Sequence, residues 1–198
     1  MINHQFLNTE IYIPQWTVKF LFLGTFNPEG GAVLDYYYRR PSNGFWKILK
    51  LYFDPYNNIP IDTYEGLVAF MKKFGIGCID IINTVECPDH YVERIIGQGY
   101  SDAALFTVNG LTRHYNFENI QNFISNQSIK PFVFSTWGQR ENPADFFEAK
   151  SGFLQYCDLN NIPFTSLASP SGRVYRGINI PIINENWHDS FDNCLQLV

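Results

Sequence analysis

The chain of 198 residues and 23.0 kDa has the size of one domain with a substantial core. Its 45% hydrophobic and 17% charged residues exclude a disordered chain, and a net charge of -5 counts against a broad phosphate-binding face while leaving room for a local one. No apolar run approaches the roughly 20 residues of a membrane span, and Met1 is not followed by a basic-then-apolar leader, so a cytoplasmic protein is expected.

In chain order, the first apolar run, residues 18–23, reads as a buried strand and ends in the turn Gly24-Thr25-Phe26-Asn27-Pro28. A tyrosine run follows, then a helix over 45–52 that Ser42 or Asn43 can cap. A second helix over 64–73 leads into a second strand over 76–82. A short helix over 102–105 and a longer one over 117–125 precede the third strand, 131–135. Asn142-Pro143 opens a helix reaching residue 160, with proline as its first helical residue. The fourth strand spans 164–168 and a last helix 185–196. Short strands, apolar throughout and alternating with helices, predict an α/β fold: three layers, with a central, mainly parallel four-stranded sheet flanked by helices. In such sheets ligands bind beyond the carboxyl ends of the strands, here the loops rich in Gly, Pro, Ser and Asn after the first and fourth.

Several chemistries find no support. Cys78, Cys87, Cys157 and Cys194 show no CxxC pair and read as buried reduced thiols. His4, His90, His114 and His188 show no close ligand spacing, so no metal is expected. EGGAV lacks the spacing of a phosphate-binding loop, and no GxSxG elbow supports a hydrolase serine.

The remaining motifs resemble a known family. GTFNP after a strand, followed by YYYRRPSNGFWKIL, resembles the first motif region of the uracil-DNA glycosylase superfamily, and SPSGR after a late strand resembles its second motif. GIGCIDII at 75–82 and FVFSTWG at 132–138 are similar to its second- and third-strand regions. The likeness thus runs from about residue 18 to residue 177, with NGFWKIL its most specific part. Two branches share the features. The mismatch-specific uracil/thymine branch has Gly-x-Asn-Pro and Asn-Pro-Ser-Gly, whereas this chain has an extra residue before Asn27 and has Ser169 where that second motif begins with Asn. The hypoxanthine-type branch has Gly-Ser-Phe-Pro, Tyr-Tyr and Asn-x-Phe-Trp, to which Gly24-Thr25-Phe26, the tyrosines and Asn43-Gly44-Phe45-Trp46 are closer.

The resemblance implies one glycosylase-like domain over residues 1–198, acting in base-excision repair on DNA with a damaged or mismatched base, with no cofactor, and as a monomer. Such an enzyme hydrolyses the N-glycosidic bond of a base swung out of the helix. Asn27 is the first candidate to hold the water and Asn43 the second; an amide orients water without acting as a general base. Tyr38, or Tyr37, would stack on the base. Thr25 and Phe26 by their main chain, and Asn83 by its side chain, would read the base edge. Ser169, Ser171 and Gly172 would approach phosphates, and Arg173 with Val174 and Tyr175 would wedge into the duplex. Asp35 and Asp80 are the nearest carboxylates if a general base is used. Each residue also has an ordinary reading: a turn amide for Asn27, a helix cap for Asn43, core packing for the tyrosines, a Ser/Gly turn for SPSG. Two other functions remain open, a catalytically inactive DNA-binding relative and a hydrolase of free nucleosides or nucleotides.

Overall fold

The computed structural model describes residues 1–97, 102–137, 143–171 and 180–196. Its elements are β1 (Ile2–Asn3), β2 (Phe20–Gly24), α1 (Phe45–Phe53), α2 (Tyr64–Phe74), β3 (Ile76–Asp80), β4 (Ile82–Glu86), a 3-10 turn (Asp89–Tyr91), α3 (Val92–Ile96), α4 (Ala103–Thr107), β5 (Thr112–Tyr115), α5 (Phe117–Ser125), β6 (Phe132–Ser135), α6 (Ala144–Leu159), β7 (Phe164–Ser166) and α7 (Ile180–Leu195). Four strands form a parallel sheet in the order β3-β2-β6-β7. β1, β4 and β5 form a separate antiparallel sheet.

Side chains alternate across a strand, and here the alternation divides the core in two. Leu21, Leu23, Ile79 and Val133 face Ile120 and Ile124 of α5 and Phe146 and Phe153 of α6. Phe20, Phe22, Cys78 and Phe134 face Phe45 and Ile48 of α1, Leu67 and Phe70 of α2, and Trp187 and Phe191 of α7. Burial on both faces explains why β2 reads as an unbroken apolar run and β3 and β6 nearly so, while the edge strand β7 is only partly buried. The result is an α/β fold with a four-stranded, all-parallel sheet flanked by helices.

Local signals set most boundaries. Thr63 Oγ1 accepts the Gly66 N–H at the start of α2, and Gly75, at φ +66°, ends it with an N–H bond to the Met71 carbonyl. Pro143 is the cap residue of α6 and not its first helical residue, and Gly44 stands at the cap of α1 in place of Ser42 or Asn43. Two larger expectations also change. The strand expected over 76–82 is two strands in different sheets. Asp80 pairs with Gly24 as the last rung of β3; Ile81 and Ile82 then donate to the carbonyls of Gly24 and Thr25, carrying the chain across the end of β2. The last helix begins at Ile180 rather than at 185, with Pro181 in its first turn, where the missing N–H is harmless. Of the residues named from sequence, Asn142, Gly172, Arg173, Val174 and Tyr175 lie outside the described residues.

Beyond α1, Asp54 accepts hydrogen bonds from Lys50 Nζ at 2.6 Å and from the N–H groups of Asn58 and Ile59. Chiefly the Lys50 bond, with the Asn58 and Ile59 bonds adding to it, holds its carboxyl well below the usual carboxylate range. A depressed carboxylate stabilises the fold above its unfolded value of about 3.9, and the contribution is lost as pH falls towards the folded value. The difference in stability between the parent and Asp54→Asn should therefore be largest near neutral pH and shrink below pH of about 4, as measured by urea unfolding across pH. Phe22 is fully buried against Phe45, Phe134, Trp187 and Phe191. Phe22→Ala should cost about 3–5 kcal/mol in the same measurement, because the sheet cannot close over the gap.

Candidate active site

Strand order fixes where a ligand can sit. From β2 the chain passes to β3 on one side and later returns to β6 on the other, so the switch point, where ligands bind in such sheets, lies beyond the carboxyl ends of β2 and β6. Gly24 ends β2, Asp80 ends β3, and Thr136 follows β6. These ends and the loops above them hold the polar groups.

Asp80 is only 2% exposed, and its Oδ2 accepts two hydrogen bonds. One comes from Asn27 Nδ2 at 2.8 Å and the other joins His4 Nε2 at 2.9 Å. His4 is equally buried, at 1%. Its Nδ1 accepts the Phe6 N–H at 3.1 Å, so the single proton of the neutral ring lies on Nε2 and points at the carboxylate. Asp80 Oδ1 turns over Gly24. A Cβ on residue 24 would overlap that oxygen and lie 2.7 Å from the Tyr38 hydroxyl.

His4 reaches this position because the N-terminal segment is bonded on both sides. β1 pairs with β4, and the His4 N–H bonds the Asn83 carbonyl at 2.8 Å. On its other side the Gln5 N–H bonds the Asn27 carbonyl, and the Glu29 N–H bonds the Asn3 carbonyl, each at 2.8 Å. The turn bearing Asn27 and the strand after Asp80 are thus tied through residues 3–5.

Tyr38 forms the wall. It is a bulky residue at φ +59°, a left-handed conformation that costs of order 1–2 kcal/mol for an L-residue and concentrates at functional sites. Its ring stacks on Phe45 at 3.9 Å between centroids, and its hydroxyl meets Thr136 Oγ1 at 3.2 Å. Tyr37 is fully buried, with its hydroxyl on the Tyr12 carbonyl, and belongs to the core. Burial first, and the Asp80 charge second, push the Tyr12, Tyr37, Tyr38 and Cys78 groups above their ordinary values.

The second motif meets the first: the Gly44 N–H, at the start of α1, bonds the Pro170 carbonyl at 2.8 Å. The Ser171 N–H bonds Ser169 Oγ, forming a tight turn beside that helix start. Other sequence candidates have structural duties. Asn43 Oδ1 accepts the Phe45 N–H at 2.9 Å, which is a helix-start contact. The Thr25 carbonyl is taken by the Ile82 N–H, and Phe26 is a core ring. Asn83 Oδ1 accepts the Tyr12 hydroxyl, and Asp35 pairs with Arg39 at the surface.

The residue that the sequence reading passed over is His4. Scanning histidines for metal-ligand spacing could not find it, since its partner lies 76 positions away. Among the described residues no group of three or more His, Cys, Asp or Glu is placed to hold a metal ion, and all four cysteines are free. No described helix is long and apolar enough to cross a membrane. A groove of about 640 Å³ lies at the opposite, amino edge of the sheet, lined by Trp16, Asn119, Asn122 and Gln127. It lacks acidic and basic side chains, whereas the Asp80 end holds a carboxylate and an imidazole. Comparison with known proteins gives no matching family model, no matching curated protein and no matching solved structure.

Gly24→Ala tests this arrangement. The new methyl must displace the carboxylate or the tyrosine, which should cost about 1–3 kcal/mol in thermal or urea unfolding. A variant as stable as the parent would mean that Asp80 is not packed over this backbone.

Proposed function

We propose that the protein hydrolyses the N-glycosidic bond of a deaminated or mismatched base swung out of DNA. The carrying observation is Asn27. Its Nδ2 is anchored on Asp80, so its Oδ1 is the end left to accept a hydrogen bond from water, at the carboxyl end of β2 where the sheet changes direction. An amide held in this way orients water beneath the anomeric carbon of a sugar.

The neighbouring groups fit the rest of the task. Tyr38 has one ring face on Phe45 and offers the other to a base; stacking of this kind is worth about 1–3 kcal/mol and tolerates different bases. The Ser169–Ser171 turn, docked on the start of α1, suits the backbone of the strand on either side of the flipped nucleotide. The sugar turns cationic as the bond breaks, and the buried Asp80 carboxylate lies close by to favour that charge. Oxygen from water joins the anomeric carbon, and the base departs with the bonding electron pair and takes up a proton.

The test is base release from end-labelled oligonucleotides carrying uracil, hypoxanthine, xanthine or a G·T mismatch, single- and double-stranded. Release is expected on at least one of these substrates, and Asn27→Ala should lower it by about 10²–10³-fold. Asn43→Ala should retain excision and lose about 0.5–2 kcal/mol of stability through the weakened helix start. No release from any substrate, with cleavage of a free nucleoside instead, would make the protein a nucleoside hydrolase. Salt-sensitive oligonucleotide binding without release would make it a DNA binder.

A further inference from the structure

We propose that Asp80 is the base that takes the proton from the attacking water, and that His4 is the residue that positions it. The inference rests on the glycosidic reading above and assigns the proton, which an amide cannot accept near neutral pH. Three observations lead to it.

First, the protons can be counted. Nδ1 of His4 accepts a backbone N–H, so Nε2 donates, and the group receiving it on Asp80 Oδ2 is a carboxylate oxygen without its own proton. Asn27 donates to the same oxygen. Both fixed donors therefore fall on Oδ2, while Oδ1 has no hydrogen-bond partner among the described residues.

Second, Asp80 is the leading anion among the described residues here; Asp102 also acts on Tyr38, but as the smallest of the influences on that hydroxyl. The titratable groups facing it are His4, Tyr12, Tyr37, Tyr38 and Cys78. Burial keeps the three tyrosines and the thiol in their neutral forms, and among the described residues no lysine or arginine pairs with Asp80. A carboxylate that none of the described lysines or arginines neutralises is free to accept a proton.

Third, the two unoccupied oxygens belong to side chains joined at 2.8 Å. In the proposed complex one water donates one hydrogen to Asn27 Oδ1 and the other to Asp80 Oδ1. As the C–N bond breaks, its electron pair leaves with the base. A water oxygen lone pair forms the new C–O bond, and the water proton shared with Oδ1 passes to Asp80. The other hydrogen stays as the sugar hydroxyl, the departing base takes a proton from solvent, and Asp80 returns its own to solvent. His4 touches neither water nor sugar. Its N–H holds Oδ2 so that Oδ1 remains the accepting edge.

Single-turnover base release by the full chain, on whichever oligonucleotide the parent cleaves, decides the matter. Asp80→Asn keeps the shape and removes the basicity, and should slow release about 10²–10⁴-fold. Asp80→Ala should be equally slow and regain part of the rate with added formate, a small carboxylate that can enter the vacated space. His4→Leu should lose about 10²-fold in rate with oligonucleotide affinity unchanged, through a misplaced carboxylate. His4→Gln, whose amide can donate from a similar position, should recover most of that loss. An Asp80→Asn variant at parental rate would overturn the assignment and leave the glycosylase reading standing. So would an Asp80→Ala variant at parental rate. Parental rate in His4→Leu would remove the positioning role. A parent that releases no base from any oligonucleotide would overturn both this inference and the reading beneath it.

Discussion

A carboxylate at 2% exposure cannot stay charged unless donors answer it, and much of the architecture around β2 and β3 follows from answering Asp80. The side chain needs room at the end of the sheet, which only a residue without a Cβ at position 24 leaves open. It needs a donor from outside its own sheet, which the N-terminal segment carries in as His4. That imidazole must in turn be fixed in one tautomer, which the Phe6 N–H does. Asn27 supplies the second donor and is itself immobilised by doing so. Segments far apart in sequence thus converge on one oxygen atom, and the antiparallel sheet exists largely to hold the first of them in place.

The aromatic richness of the chain has a related meaning. The rings between the parallel sheet and α1, α2 and α7 fill one half of the core, yet several also reach into the rim. The Trp46 indole N–H bonds the Tyr37 carbonyl, beside the left-handed turn at Tyr38, and the Trp187 indole N–H bonds the Ala168 carbonyl, just ahead of the Ser169–Ser171 turn. Each buried indole must find an acceptor, and each finds it in a loop next to the site. Loops at a binding rim ordinarily open at low cost. Here two of them are tied to indoles packed in the core, which braces the wall formed by Tyr38 and Phe45.

The parallel sheet was legible because burial on both faces leaves an apolar run that no other requirement interrupts. The antiparallel sheet was not: β1 has two residues, β5 reads TRHY with its side chains half-exposed, and neither shows a period. The break at Ile81 was hidden because Ile79, Ile81 and Ile82 read as one apolar run around Asp80, although the chain changes sheets there. In the candidate site, Asn27 and Tyr38 stood out because they follow a strand and a turn rich in breakers, whereas Asp80 was visible only as a nearby carboxylate inside an expected strand. Asn43 carried two meanings that one sequence cannot separate, and only the Phe45 N–H pointing at its side chain assigns it to the helix start. Thr25 and Asn83 looked like readers of a ligand because they sit at strand ends, but strand ends also owe hydrogen bonds to the chain that crosses them.

The acidic balance of the chain and an anionic centre look unsuited to a polyanionic substrate, and distance resolves the conflict. Two unit charges interact as the inverse of their separation and of the local dielectric, so the same carboxylate acts with very different strength at contact and at the rim. A phosphate outside the site sees Asp80 behind Asn27 and through water and salt, which screen it over about 8–10 Å. The cationic sugar of the proposed transition state would sit on the near side of Asn27, with little solvent between. Attraction then acts on the short-lived cation far more strongly than repulsion acts on the bound strand. Burial, which makes the carboxylate costly to fold, is therefore also what confines its charge to the step where a negative charge helps.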